Sequence, residues 1–394
     1  MSLYPKYDVS FWNSDGLEIS KYFNKEGIIK QIRIPSFIKK ADYISFCPNG
    51  FIFLFSRLDR KIFLLNHSTG EFLSAYELKD DMDWLSVKID KNNLYALDRK
   101  RQIDQLSFNE KLMRFDYIRS YKFKCEKLRE NSDIVIVELK KQHPLFYKES
   151  ISVKTCIIGP IENSKFLEVY LNNNDYEGQT EIRIPAPKER PGITLNNCSL
   201  AFDDKNYSLI IAEREQNVII EFYLGRGYSS FICGGKAFRE EEGCSAKEAC
   251  LKNPNDIALY RPAKYIKKPA LEKSSQNILD IDKDGIRPRY IYFCDNDKIK
   301  KILDFPESAR ALKLSGLYRV YTLIGYVDQI EANSTAGEAL LTSYVLKRPY
   351  SLSISDKGEI CFLANDNIYL LRPASFFAEE EFYKIAGENE SDAS

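Results

Sequence analysis

"CSLAFDDKNYSLIIAEREQNVIIEFYL", residues 198–224, holds three apolar runs of five to seven residues separated by short polar turns. Runs of that length, rich in Ile, Leu, Phe and Tyr, predict strands. The breaks, "DDKN" and "REQN", supply residues that cap their own backbone or accept positive φ, as tight hairpins demand. The unit recurs. "YISFCPNGFIFLFSRLDRKIFLLN" covers 43–66, "WLSVKIDKNNLYALDRKRQIDQLSF" covers 84–108, and "YSLSISDKGEICFLANDNIYLLRP" covers 350–373. "RYIYFCDNDKIKKILDF", 289–305, is a further copy with its first strand displaced by an insertion. A fourth apolar stretch follows each copy: "EFLSAYEL", "RFDYIRS", "SSFICGG", "YRVYTLIG" and "EFYKIAG".

Four such strands make a twisted meander that is apolar on both faces. One meander cannot bury both, so neighbours must stack, and stacked radially they form a β-propeller. The expected fold is therefore all-β, a single propeller of four-stranded blades over residues 1–394. Clear blades open near Tyr43, Trp84, Cys198, Asn253 and Pro349. Residues 121–190 contain "DIVIVELK", "SVKTCIIG", "KFLEVYL" and "EIRIP", an irregular blade with an insertion. Residues 1–40 contribute "VSFWNSDG", "LEISKYFN" and "GIIKQIRIP". Taken as strands two to four of an incomplete first blade, they bring the expected count to seven. The alternative is six blades with an N-terminal sheet packed on. Residues 261–277 are Lys- and Pro-rich and are expected to form a surface insertion, and 388–394 an acidic tail. Short helical turns are expected only at "SAKEACL" and "STAGEALL".

Lys plus Arg and Asp plus Glu both number 57, so the net charge is zero, which argues against a general nucleic-acid binder. The best local basic stretch, Lys264–Lys273, reads as a solvated loop. No apolar run approaches the ~20 residues that span a bilayer, and the first residues do not have the form of a secretory signal. Nine cysteines, without a CxxC pair, are scattered mostly within apolar runs. They predict buried free thiols in a reducing, cytoplasmic setting. Only Cys233, Cys244 and Cys250 cluster enough to suggest a bond.

Two connectors also repeat: "GCSAKEACLKNPNDIALY" at 243–260 and "NSTAGEALLTSYVLKRPYSLSIS" at 333–355. Together with "FICGG" before the first, and "IYFCD" and "KIKKI" after it, this pattern resembles the NHL-repeat family of propellers. The second copy, through "NIYLL", fits comparably, so the likeness covers 229–371. It departs from the family where Gly-Asp-Gly is expected and Glu242-Gly243-Cys244 stands instead. The resemblance implies an architecture; some NHL domains bind RNA, but function in such folds sits on loops and rims.

Catalytic motifs are sparse. His67 and His143 are the only histidines, which excludes a three-histidine metal site, and each reads as an exposed turn residue. "DIDKDG" places Asp280, Asp282 and Asp284 like the start of a calcium loop, yet Ile291 stands where the bidentate Glu belongs. A β-turn explains it better. Asp98, Glu213, Asp295 and Asn365 fall at strand ends, where an axial calcium of lactonase-like propellers could be held. Turn capping accounts for them without an ion. "YLGRGYSS", 223–230, lies between strands and fails as a phosphate loop. With no catalytic, metal or cofactor set, the expectation is a non-enzymatic protein-interaction platform, a subunit of a larger assembly. The alternatives are a calcium-dependent hydrolase or lyase with an axial site and an RNA-binding propeller.

Overall fold

The computed structural model describes residues 8–12, 18–24, 27–47, 50–67, 69–79, 82–125, 128–139, 153–171, 179–234, 244–261, 289–304, 319–325 and 346–373. They form 27 strands in six sheets, and each sheet is one propeller blade. Blade 1 is β4 (Tyr43–Cys47), β5 (Phe51–Ser56), β6 (Lys61–Asn66) and β7 (Phe72–Glu77). Blade 2 is β8 (Trp84–Asp90), β9 (Asn93–Asp98), β10 (Gln102–Asn109) and β11 (Arg114–Lys122). Blade 3 is β12 (Asp133–Leu139), β13 (Val153–Glu162), β14 (Lys165–Tyr170) and β15 (Gln179–Arg183). Blade 4 is β16 (Cys198–Asp203), β17 (Ser208–Glu213), β18 (Val218–Tyr223) and β19 (Tyr228–Cys233). Blade 5 is β21 (Pro254–Tyr260), β22 (Arg289–Asp295), β23 (Lys298–Asp304) and β24 (Arg319–Ile324), edged by β20 (Cys244–Ser245).

Blade 6 corrects the expected count of seven. It begins with β25 (Tyr350–Ile354), β26 (Ile360–Ala364) and β27 (Asn367–Pro373), and its fourth strand is β3 (Gly27–Arg33), antiparallel to β27. β2 (Glu18–Asn24) and β1 (Asp8–Trp12) continue the same sheet outwards. The count is thus that of the alternative, six blades, and the N-terminal strands do not open a blade of their own. They extend the last blade edge to edge, because β27 would otherwise leave a row of amides and carbonyls unpaired. "EFYKIAG", expected to be this blade's fourth strand, lies outside the described residues, as do 1–7 and the acidic tail.

The innermost strands β4, β8, β12, β16, β21 and β25 touch in that order, and β25 meets β4 to close the ring. Apolar clusters fill the seams between blades. Phe53, Phe55 and Leu64 of blade 1 pack on Trp84, Val87 and Leu106 of blade 2. Ile210, Ala212 and Ile219 of blade 4 pack on Ile257, Ile291 and Phe293 of blade 5. Each fully buried side chain of this size contributes about 1.5–3 kcal/mol, so stacking, which no single blade can achieve, holds the ring.

The connector before blade 5 joins the same core. Glu248 and Ala249 donate backbone N–H groups to the Ser245 carbonyl, forming one helical turn. That turn buries Ala246, Ala249 and Leu251 in the seam between blades 4 and 5. Its second copy, 333–345, lies outside the described residues. Gly234, at φ +91°, follows β19, and Gly325, at φ +129°, follows β24. A Cβ on Gly234 would stand 2.1 Å from the Asn217 carbonyl oxygen, and one on Gly325 would stand 2.8 Å from that of Asp297. The glycine ending the fourth strand therefore lets the chain pass against the turn between the second and third strands.

Candidate functional site at the axial mouth

Inner strands of neighbouring blades do not form a hydrogen-bonded ladder, so side chains must bridge them. Near the face where inner strands begin, here the upper face, side chains do so around the ring. Asp133, which opens β12, accepts the Ser86 hydroxyl of β8 at 2.6 Å through Oδ1. Its Oδ2 accepts the Leu200 amide of β16 at 2.9 Å and lies 3.2 Å from Lys88 Nζ. Ser199 Oγ of β16 accepts the Asp256 amide of β21 at 3.0 Å. The Asp256 carboxylate accepts the Ser351 amide of β25. Ser351 Oγ in turn accepts the Ile44 amide of β4 at 2.7 Å, and Ser45 and Ser353 hydroxyls meet at 2.9 Å. The circuit closes where Lys88 Nζ lies 5.7 Å from the centre of the Tyr43 ring.

Bulges aim these groups. The β21–β22 register slips between Asn255 and Ile257, and the β25–β26 register between Tyr350 and Ser353. Asp256 takes φ 44° and Ser351 φ 54° within their strands. Left-handed backbone at a non-glycine residue costs of order 1–3 kcal/mol and gathers at functional sites. A slip between Trp84 and Ser86 shifts β8 in the same way.

The mouth is electrostatically mixed. Burial lowers the affinity of the Lys88 ammonium for its proton, but the Asp133 carboxylate outweighs it and the net shift is upward. Burial pushes the Tyr43 phenol up to about 12, against the pull of Lys88. Burial also raises the Asp256 carboxyl above its ordinary range, opposed by the Ser351 amide, Lys88 and Arg214. Arg214 stands in the turn after β17, and its buried Nε has no hydrogen-bond partner.

A second charged group lies at the far ends of the inner strands of blades 4 and 5, on the lower face. Arg289 opens β22 and is 2% exposed. Its Nη1 donates to Asp203 Oδ2 and to Glu221 Oε1, both at 2.7 Å, and its Nη2 to Glu221 Oε2 at 2.9 Å. Arg261, directly after β21, donates to the same Asp203 Oδ2 at 2.6 Å. Glu221 also accepts the Ser208 hydroxyl at 2.6 Å and the Tyr223 hydroxyl at 3.0 Å. Burial would raise both carboxyls, yet the guanidiniums hold Asp203 and Glu221 below the ordinary range. The expected surface insertion 261–277 lies, beyond Arg261, outside the described residues; Arg261 and Arg289, the described residues on either side of 262–288, are both fastened to one carboxylate of the neighbouring blade.

The residues singled out from sequence fall elsewhere. Asp98 accepts the amides of Asp83 and Lys100 at 2.6 and 2.7 Å. Glu213 accepts those of Asn196 and Asn197 at 2.9 and 3.1 Å. Asp295 accepts the Lys252 amide at 2.6 Å. These three carboxylates tie the lead-in of an inner strand to the strand beside it, and they do not converge on the axis. Asn365 sits in the turn between β26 and β27 at φ 51°. His67 is not the exposed turn residue expected. Its side chain is 12% exposed and its Nε2 lies 3.1 Å from Glu359 Oε2, linking blade 1 to blade 6. Cys233 and Cys250 are free thiols. The side chain of Cys244 lies outside the described residues, as do Asp280, Asp282, Asp284 and His143. Among the described residues no three His, Cys, Asp or Glu side chains are placed to hold a metal ion, and no helix is long and apolar enough to cross a membrane.

The axial groups were missed because single polar residues in apolar strands carry little weight one at a time. A signal existed: "Ser-Val-Lys-Ile-Asp" in β8 and "Ser-Leu-Ser" in β25 alternate polar with apolar, as strands facing a channel should.

No protein-family model matches the sequence, and no curated protein does. The fold has solved counterparts. An auxiliary nutrient binding protein from Bacteroides ovatus superposes with a TM-score of 0.52 at 11% identity, over 93% of this chain and 83% of its own. Virginiamycin B lyase from Staphylococcus aureus gives 0.43 at 12% identity, over 92% and 93%. The β-propeller domain of Myceliophteria thermophila Cps50 (Swd1) gives 0.43 at 10%, over 86% and 84%. These neighbours are β-propeller proteins, and this chain is a six-bladed β-propeller. The first likeness bears on the fold alone.

Proposed function

We propose that this propeller is a non-enzymatic interaction platform, a subunit of a larger protein assembly, that presents segment 262–276 to a partner. The observation that carries this reading is the ionic group formed by Arg261 and Arg289, the described residues on either side of that segment. Burying two guanidiniums with two carboxylates gains little stability over apolar packing, and its return is geometric definition. Here the defined geometry is the point where an insertion leaves the ring. Lys264, Lys267, Lys268 and Lys273 give the insertion a basic character suited to an acidic protein surface. The engagement of Asp98, Glu213 and Asp295 by backbone amides supports a platform over an axial calcium enzyme. The glycines closing β19 and β24 and the buried Ala246–Ala249–Leu251 turn support NHL-like blades. Eight free thiols among the described residues support a reducing, cytoplasmic setting.

The test is deletion of 262–276 with Arg261 and Arg289 kept, so that the ionic group survives. Melting should be unchanged, while affinity purification from the native source should lose the partners captured by the intact chain. Undiminished capture by a folded deletion variant would refute the assignment of this segment.

A further inference from the structure

We propose that the upper mouth of the axial channel is a binding site for a small zwitterion, with Arg214 taking its carboxylate and Asp256 its ammonium group. This site is at the opposite end of the inner strands from the Arg261–Asp203–Arg289 group and does not depend on the platform reading.

The inference starts from which polar groups are engaged. Asp133 is occupied by the Ser86 hydroxyl, the Leu200 amide and Lys88. Ser199 and Ser351 are occupied by the Asp256 and Ile44 amides. Two groups of opposite charge remain. The Arg214 side chain makes no hydrogen bond among the described residues, and its Nε is shut off from solvent. A guanidinium in that condition is missing an acceptor, and a carboxylate is the acceptor its planar fork fits best. The Asp256 carboxylate has one backbone donor, Ser351, and a position fixed by a bulge and positive φ. Lys88 and Arg214 act on it through space, but neither forms a direct ion pair with it. The Arg214 backbone N–H bonds the Asn197 carbonyl just before β16, and Ser199 of β16 holds the Asp256 amide, so the two opposite charges stand at the same end of neighbouring blades.

The charge pattern selects among occupants. A simple anion at Arg214 would face the Asp256 carboxylate. A simple cation at Asp256 would leave the guanidinium unbonded beside it. A molecule carrying both groups satisfies both, and the Tyr43 phenol, which has no hydrogen-bond partner among the described residues, stands near as a donor or acceptor.

The experiment compares β-alanine with propionate and propylamine, each at millimolar concentration, using calorimetry and thermal melting of the full chain. β-Alanine should bind and raise the melting temperature more than either single-charge probe. Arg214→Gln and Asp256→Asn should each weaken it about tenfold to a hundredfold, the loss of one charge-assisted contact. Asn suits position 256 because it accepts positive φ and retains an acceptor for the Ser351 amide. Failure of β-alanine to bind, equal binding of propionate, or β-alanine affinity unchanged in a folded Arg214→Gln or Asp256→Asn protein would each overturn the proposal. None of these outcomes bears on partner capture by 262–276.

Discussion

Arg289 is buried beside two carboxylates, and its removal separates charge compensation from packing. Arg289→Met keeps much of the side-chain volume but leaves Glu221 buried without its cation. Breaking a buried pair in this way costs about 3–5 kcal/mol, read as a lower urea midpoint at neutral pH. The pH dependence should also change sign. In the native protein the Asp203 and Glu221 carboxyls are depressed. Their stabilisation is therefore present above the unfolded carboxyl values, about 4, and is lost as pH falls through the lower folded ones. Without the guanidinium, burial and the nearby Asp203 charge raise Glu221 against the smaller opposing pull of the Ser208 hydroxyl, so the variant should gain stability relative to wild type as pH falls from 7 towards 5. Equal slopes in the two proteins would show that Arg289 does not set these carboxyls. The sequence showed Arg289 only as the basic residue opening a strand. Its partners, Asp203 and Glu221, come from a different blade and could not be paired with it by spacing.

At the scale of elements, the turns made the strands legible. "PNG", "DDKN" and "SDKG" bracket runs with strong β propensity, and the inner strands of blades 1, 2 and 4 start where those runs start. The bulges at Asp256 and Ser351 were not legible. Positive φ at an ordinary residue has no local composition signal, and here it follows from the demands of the ring. Gly234 lies between these cases: the sequence marks it, and the structure supplies its reason. Gly234→Ala would force a Cβ against the Asn217 carbonyl at φ +91°. It should cost about 1–3 kcal/mol or more, visible as a lower melting temperature. Gly192, whose Cβ would meet nothing within 4 Å, is the control. Equal effects at both glycines would show that close passage beneath β19 does not matter.

For the whole molecule, the decisive contact joins the two ends of the described chain. "GIIKQIRIP" reads as a strand whether it opens its own blade or completes another. Only its pairing with β27, where Arg33 faces Asn367, decides between six and seven blades. That contact spans most of the chain and leaves no local trace. Two truncations test its importance. Removing 1–26 takes away β1 and β2 but leaves blade 6 with four strands, so melting should fall only slightly. Removing 1–34 strips the edge of β27 and takes Ile32 from the cluster it shares with Ile44, Leu65 and Cys361. This shorter chain should melt far lower and self-associate through the bared edge, as seen by size-exclusion chromatography. Similar melting of the two truncations would mean that the ring is held by its seams alone.

Closure by the first strands also sets a timetable for synthesis. β3 leaves the ribosome early, but its partner is made about 330 residues later. At about 5–20 residues per second, the wait is on the order of 15–70 s. During that interval the nascent chain carries the β1–β2–β3 sheet with the far edge of its Ile-rich β3 unpaired, while blades 1 to 5 assemble behind it. A chaperone that shelters residues 27–33 would act on this protein before its ring exists.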